Sequence, residues 1–196
     1  MSLVPAFEIG IWNAWILQVF FFLTISVPDL LMNKEAKERT KRATESVPFS
    51  KTNKILALST HAVIMPVTFV YSIFLPLKLG TAWLYVGLLI YALALLISLA
   101  TSINFAATPS GEPVTRGVYR ISRHPIYLSG FLLYTGIGIA CASWVLLLFA
   151  VLWIVLWSIV VSAEERFLLE KYGDAYRKYM NRTPRWIGIP KSGESD

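Results

Sequence analysis

Apolar residues run in long, nearly unbroken stretches along this chain, and polar residues gather between them. A helix needs roughly 20 apolar residues, at about 1.5 Å each, to cross about 30 Å of hydrocarbon. The first such stretch lies near Ile9 to Val27, opens with Trp12 and Trp15, and is closed by Pro28 and Asp29. It shows neither a basic leader nor a small-residue cleavage site, so it reads as an anchor rather than a removed signal peptide. A second runs from about Ile55 to Leu75 and a third from about Ala82 to Ser102. Tyr127 to Val161 then adds 35 almost wholly apolar residues, too many for one span and just short of two. Gly136, Gly138, Ala140, Cys141, Ala142 and Ser143 sit in its middle, where the chain can turn and backbones can approach closely. A hairpin with two short arms is therefore expected, with local bilayer thinning around it. The pattern predicts an all-α integral membrane protein with five transmembrane helices, the last two a short helical hairpin. Residues 1–196 form a single membrane domain.

Past Val161 the periodicity persists but becomes amphipathic. Leu168, Tyr172, Ala175, Tyr176 and Tyr179 share one face, and Lys171, Asp174, Arg177 and Lys178 lie outside it. The fifth helix is expected to continue into the cytoplasm and to end between Asn181 and Pro184. The run Pro184-Arg185-Trp186-Ile187-Gly188-Ile189-Pro190 then reads as a rigid strap that can lie back along the membrane surface.

Charge gives the orientation. Of 18 Lys and Arg residues, 17 fall in the segments 34–54, 116–123 and 166–191, and only Lys78 falls on the other side. The positive-inside rule then puts the N-terminus outside, with the C-terminus and any site among these residues cytoplasmic. A net charge of +6 is thereby explained by loops facing anionic lipid, with no need of nucleic acid as a partner. Composition agrees: 56% hydrophobic residues and 15% charged exclude a soluble globular enzyme and a disordered tail. The single cysteine, Cys141, cannot form an internal disulfide, and no Cys/His spacing resembles a metal site, so no metal is expected.

Candidate chemistry concentrates at the two ends of the hairpin. The segment Gly117 to Gly130 holds Arg116's neighbours Arg120 and Arg123, then His124, Pro125, Ile126 and Tyr127, with Tyr119 just before them. Pro125 suits a first helical turn, and the free N–H groups there favour an anion such as a ligand carboxylate. At the other end stand Glu164 and Glu165, costly at the end of a span unless solvated or paired. The hairpin returns the chain to the same side, so His124 and the glutamates end at one depth and can line one pocket. Cations for a carboxylate and anions for an amine would suit a zwitterionic cofactor. His61, within the second span, reads as an interhelical hydrogen-bonder, and Asn104 as a helix cap or ligand contact.

Read in order, Gly117-x-Tyr119, Arg123-His124-Pro125-x-Tyr127 with Gly130, Glu164-Glu165, Leu168, Tyr172-Gly173, Tyr176, Tyr179 and Pro184-Arg185 resemble the isoprenylcysteine carboxyl methyltransferase family and its phospholipid methyltransferase relatives. The likeness covers roughly the last 90 residues, so residues 104–196 would carry the cofactor-binding catalytic region. It implies S-adenosylmethionine as methyl donor, with S-adenosylhomocysteine as product. It further implies cofactor contacts from Tyr119, His124, Pro125, Ile126, Tyr127 and one of Glu164 or Glu165, and by position from Asn104, Gly111, Glu112, Pro113 and Val114. No individual catalytic residue is assigned. The implied partner is a lipidic methyl acceptor entering from the bilayer, first a prenylcysteine-type carboxylate and second a phospholipid amine. Val160-Val161-Ser162 departs from the family pattern, because eukaryotic members carry a substrate-contacting arginine shortly before the glutamates. A membrane NADPH-dependent sterol-type reductase and a non-catalytic membrane module are the other readings.

Overall fold

The computed structural model describes residues 7–32, 60–109 and 111–188, together with positions 34, 37, 51, 53, 55 and 58; the side chains of residues 27–29, 31 and 61 are not among those described. Most of the basic segment 34–54, the His61 side chain and the strap beyond Gly188 therefore lie outside the described residues. The described elements are helical: α1 Trp15–Leu31, α2 Met65–Ile73, α3 Ala82–Ala107, α4 Pro125–Ala140, α5 Trp144–Tyr172 and α6 Asp174–Arg182, with a 3-10 turn over Gly117–Arg120.

α3, with 26 residues, and α5, with 29, are long and apolar enough to cross a membrane. The apolar parts of the other helices, Trp15–Ser26, Ala62–Ile73 and Pro125–Ala140, are shorter. The second stretch is further broken up by a π-helical turn over Thr60–Ile64 that leads into α2. Pro66 accounts for it: without an N–H it cannot bond the carbonyl four residues back, and the wider turn absorbs the misfit.

The hairpin turns where the small residues cluster. Ala142 adopts a left-handed φ of 51°, and the Ser143 hydroxyl caps α5 by accepting from the Leu146 N–H. Its arms are unequal, which corrects the expectation of two short ones. α4 has 16 residues, about 24 Å of rise, whereas α5 runs through its apolar part and on past Glu165. The expected cytoplasmic continuation ends at Gly173, whose φ of 54° breaks the helix; α6 starts afresh at Asp174. The break also shifts the helical register, so Tyr176 and Tyr179 are buried while Ala175 is exposed.

α3 packs more extensively on α4 than any other pair of elements. A Cβ at Gly136 would stand 2.7 Å from the Tyr91 backbone nitrogen, so the absence of side chains on that seam permits the approach. Tyr91, Leu133, Tyr134, Ile137, Leu146, Trp153 and Trp157 form the core between the hairpin and α3. Polar bridges fasten α1 and α2 to it. Gln18 Nε2 donates to the Thr68 carbonyl at 3.2 Å, Thr68 Oγ1 meets Tyr134 Oη at 3.2 Å, and Tyr91 Oη donates to the Leu17 carbonyl at 2.7 Å. In a surrounding that offers no water, such bonds satisfy groups that would otherwise be costly.

Candidate active site

The turn before α4 is built by Ser122. Its hydroxyl accepts from the His124 N–H at 3.1 Å and donates to the Arg185 carbonyl at 3.2 Å, while the Arg123 N–H donates to the Pro184 carbonyl at 3.0 Å. The described part of the strap is thereby bound alongside the start of α4. Pro125 takes the first helical position of α4 and is fully buried. His124 caps that helix from the non-helical side, with φ −129° and ψ 59°.

From here the side chains converge on α5. Glu165, 4% exposed, accepts from His124 Nε2 at 3.1 Å and lies 3.2 Å from Arg123 Nη1, both through Oε1. Arg185 reaches the same carboxylate with two nitrogens: Nε donates to Oε1 at 3.2 Å and Nη2 to Oε2. Its remaining terminal nitrogen donates to Ser162 Oγ at 3.4 Å. Glu164 is turned to the other side of His124. Its Oε2 accepts from Tyr127 Oη at 3.2 Å and lies 3.7 Å from His124 Nδ1.

The two carboxyls, one turn beyond the apolar part of α5, are driven apart. Burial pushes Glu165 up, but hydrogen bonds from His124 and Arg185 and the charge of Arg123 outweigh it and hold the carboxyl at about 2. Burial dominates at Glu164 and raises its carboxyl above 4.5; His124 and the Tyr127 hydroxyl oppose the rise, and the Glu165 charge adds to it.

Aromatic rings wall the cluster. Tyr127 stacks on Trp157 with centroids 4.1 Å apart and on His124 at 5.9 Å, and Trp186 from the strap tilts against His124 at 6.3 Å. Trp153 Nε1 donates to the Tyr127 carbonyl at 2.9 Å, and its indole lies where a Cβ at Gly130 would be. Beyond the hairpin's polar end Tyr179 Oη donates to the Tyr119 carbonyl at 2.8 Å, so α6 secures the 3-10 turn. Burial raises the Tyr119 phenol, with Glu164 the next contributor.

Of the residues expected from sequence, His124, Tyr127, Glu164 and Glu165 meet directly, and Pro125 and Tyr119 flank them. Asn104 packs under the turn that carries Tyr119: a Cβ at Gly117, φ 59°, would overlap its side chain. Ile126 is 39% exposed at the start of α4. Gly111, Glu112, Pro113 and Val114 lie in the loop from α3 to the 3-10 turn, and among the described residues no side chain of that loop bonds to the cluster. Sequence reasoning missed the grip of Arg123 and Arg185 on Glu165. The signal available was the paired occurrence of an arginine before His124 and another in a Pro-flanked strap, but 62 residues separate them and only the fold makes them neighbours.

A search of curated proteins finds no match to this chain. A model of the phospholipid methyltransferase family matches residues 78–175, half of the chain, spanning α3, the Tyr119 turn, the hairpin and both glutamates. The conjunction of this match with apolar helices of spanning length and a carboxylate-histidine cluster at their polar end identifies the chain as a member of the phospholipid methyltransferase family, a family of membrane methyltransferases.

Proposed function

We propose that the protein is an S-adenosylmethionine-dependent methyltransferase that acts on the amine of a lipid at the cytoplasmic membrane boundary. The observation that carries the choice of acceptor is the division of labour between the glutamates. Both nearby arginines are engaged by Glu165, whereas the Glu164 carboxylate, 24% exposed and hydrogen-bonded by Tyr127, has no arginine partner among the described residues. A carboxylate acceptor would be repelled there and an ammonium attracted. That reverses the order in which the family resemblance suggests a prenylcysteine-type carboxylate first and a phospholipid amine second.

The residues suit the cofactor. Arg123 Nε is a buried donor with no hydrogen-bond acceptor among the described residues, and it fits a carboxylate. Glu164 fits an ammonium, and the Trp186 ring beside His124 fits a cationic sulfonium through its π face. Tyr119, Pro125 and Ile126 complete the wall, Asn104 supports the Tyr119 turn, and the loop 111–114 leads into it. The sulfonium supplies an activated methyl group. What the protein adds is in-line positioning and removal of water from the nucleophile.

In this reading the five apolar helices all span the bilayer, α1, α2 and α4 with local thinning around them, and the N-terminus faces outward. The acceptor's chains stay in the bilayer while its head reaches the cluster from the membrane side. Radiolabelled S-adenosylmethionine, offered to purified protein with phosphatidylethanolamine or with farnesylated and geranylgeranylated N-acetylcysteine, tests it. Base-stable label in the phospholipid is expected. Base-labile label in the prenylated acids, with the phospholipid untouched, refutes the amine reading.

A further inference from the structure

Before α1, four large apolar side chains stand out from the end of the molecule opposite the candidate site: Phe7, Ile9, Ile11 and Trp12 are 64–78% exposed. The backbone that presents them is nevertheless fixed. The Glu8 N–H donates to the Phe74 carbonyl at 3.1 Å, the Leu77 N–H to the Trp12 carbonyl at 3.0 Å, and Trp15 Nε1 to the Gly10 carbonyl at 3.3 Å. Buried Asn13 is the knot: its Nδ2 donates to the Glu8 carbonyl at 2.6 Å and to the Ile73 carbonyl at 2.7 Å. The segment is thus held in one shape with its apolar side chains outward.

Two physical limits set its surroundings. Its backbone is not helical, and irregular backbone facing lipid is not sustained within the hydrocarbon, where unmet N–H and C=O groups are costly. Contiguous large apolar side chains are in turn unfavourable in water. The zone that satisfies both is the headgroup layer with the first part of the chains beneath it. Other rings at the same end agree. Trp83 and Tyr85 in the first turn of α3 and Trp144 at the start of α5 are exposed as well, as aromatic residues seated at a membrane interface are. Backbone bonds hold these starts together with Trp12: one residue past the Leu77 bond, the Lys78 N–H donates to the Ala140 carbonyl at the hairpin turn at 3.0 Å.

We infer that residues 7–12 form an interfacial anchor, seated in the lipid headgroup layer at the ends of α1 and α2 opposite the candidate site. The inference rests on the reading that the apolar helices span the bilayer. Its use follows from helix length. The apolar helices Trp15–Ser26 and Ala62–Ile73 each rise about 18 Å against about 30 Å of hydrocarbon, so lipid must thin around them. An anchor clamped to both fixes their shared end at the interface. The missing apolar length then falls at the other end, on the side of the candidate site.

The test uses the full chain with Cys141→Ala in phosphatidylcholine nanodiscs. A nitroxide is placed on Ile9→Cys or Ile11→Cys, and its access to oxygen and to a nickel chelate is measured by power saturation. Exposed Val155, about 16 Å along α5, gives the mid-bilayer reference as Val155→Cys, and exposed Asp174 gives the aqueous one as Asp174→Cys. Ile9 and Ile11 positions are expected about 5 to 10 Å into the boundary of heads and chains, between the two references. Trp12 gives a check that needs no label: the share of emission that Trp12→Phe removes should be quenched more by lipids brominated near the head than by lipids brominated at the chain end. Labels at Ile9 and Ile11 as open to nickel as Asp174, as deep as Val155, or shielded from both reagents overturn the anchor, as does a Trp12 share that neither lipid quenches. If the Val155 label is itself open to nickel, the spanning reading falls with it; if only the Ile9 and Ile11 labels are, that reading stands.

Discussion

Replacing Glu165 with Gln removes one negative charge and almost no volume, and it leaves Arg123, only 11% exposed, facing a neutral amide. Two routes give the magnitude. The carboxyl lies at about 2 against an ordinary 4.5, which corresponds to roughly 3 kcal/mol of stabilisation in the ionised state. Breaking a buried ion pair from one side costs about 3 to 5 kcal/mol, less where a partner is open to solvent, and Arg185 is 37% exposed. About 2 to 3 kcal/mol is expected, a fall of roughly 5 to 10 °C in thermal midpoint by the scaling for chains of this size. The pH dependence follows from a folded value below the unfolded one: the stabilisation is complete above about 4.5 and is lost as pH falls from there through about 2. The assay is thermal unfolding of wild type and Glu165→Gln in one detergent at pH 7 and at pH 3, where the gap should shrink by more than half. A variant within 2 °C of wild type at pH 7, on the order of the smallest shift a 1 kcal/mol change produces, refutes the ion-cluster account, as does a gap that widens in acid.

Glu164→Gln should weaken S-adenosylhomocysteine binding by roughly 10-fold or more, read by calorimetry, since a hydrogen bond to a charged group contributes about 1.5 to 3 kcal/mol. Gly136→Val should abolish the folded state or lower its midpoint steeply, because even a Cβ there reaches the Tyr91 backbone; Gly111→Ala, with open space around it, should lower the midpoint by far less. Single cysteines at Glu112, Asp174 and Leu79, all exposed positions, in a Cys141→Ala background should label from opposite faces, the first two together and Leu79 alone. Labelling of Glu112 and Asp174 from different sides refutes the topology. Shortening the acceptor's chains should cost activity steeply, about 0.8 kcal/mol per CH₂ that leaves an apolar contact, and equal turnover of a chainless ethanolamine phosphate would refute entry from the bilayer.

Much of the helical plan could be read from residue order alone. Apolar runs demand internally satisfied backbone in lipid, so they become helices whatever their neighbours do. Pro125 acts locally on φ and the backbone N–H, so the start of α4 was legible; the break at Gly173 was not, because the apolar spacing of Leu168, Tyr172, Tyr176 and Tyr179 runs on across it. The turn at Cys141 to Ser143 followed from small residues, but the inequality of its arms did not. That depends on α5 continuing as helix past the last apolar residue, with Glu165 neutralised by partners from elsewhere.

The convergence of His124, Tyr127, Glu164 and Glu165 was likewise implicit in the sequence, because a hairpin must return its ends to one depth. Which glutamate does what was not. Glu164 and Glu165 are adjacent on α5 and differ by one helical step, about 100°, and only tertiary packing turns that step into different surroundings. Arg185 arrives from a strap held by Ser122 and by the Arg123 N–H, and it closes on one carboxylate and not the other. Sequence by itself determined where apolar runs give way to polar groups, since hydropathy is a property of each residue. Tertiary structure decided which of them are spent on one another and which face outward, since pairing is a property of distances that chain order does not contain.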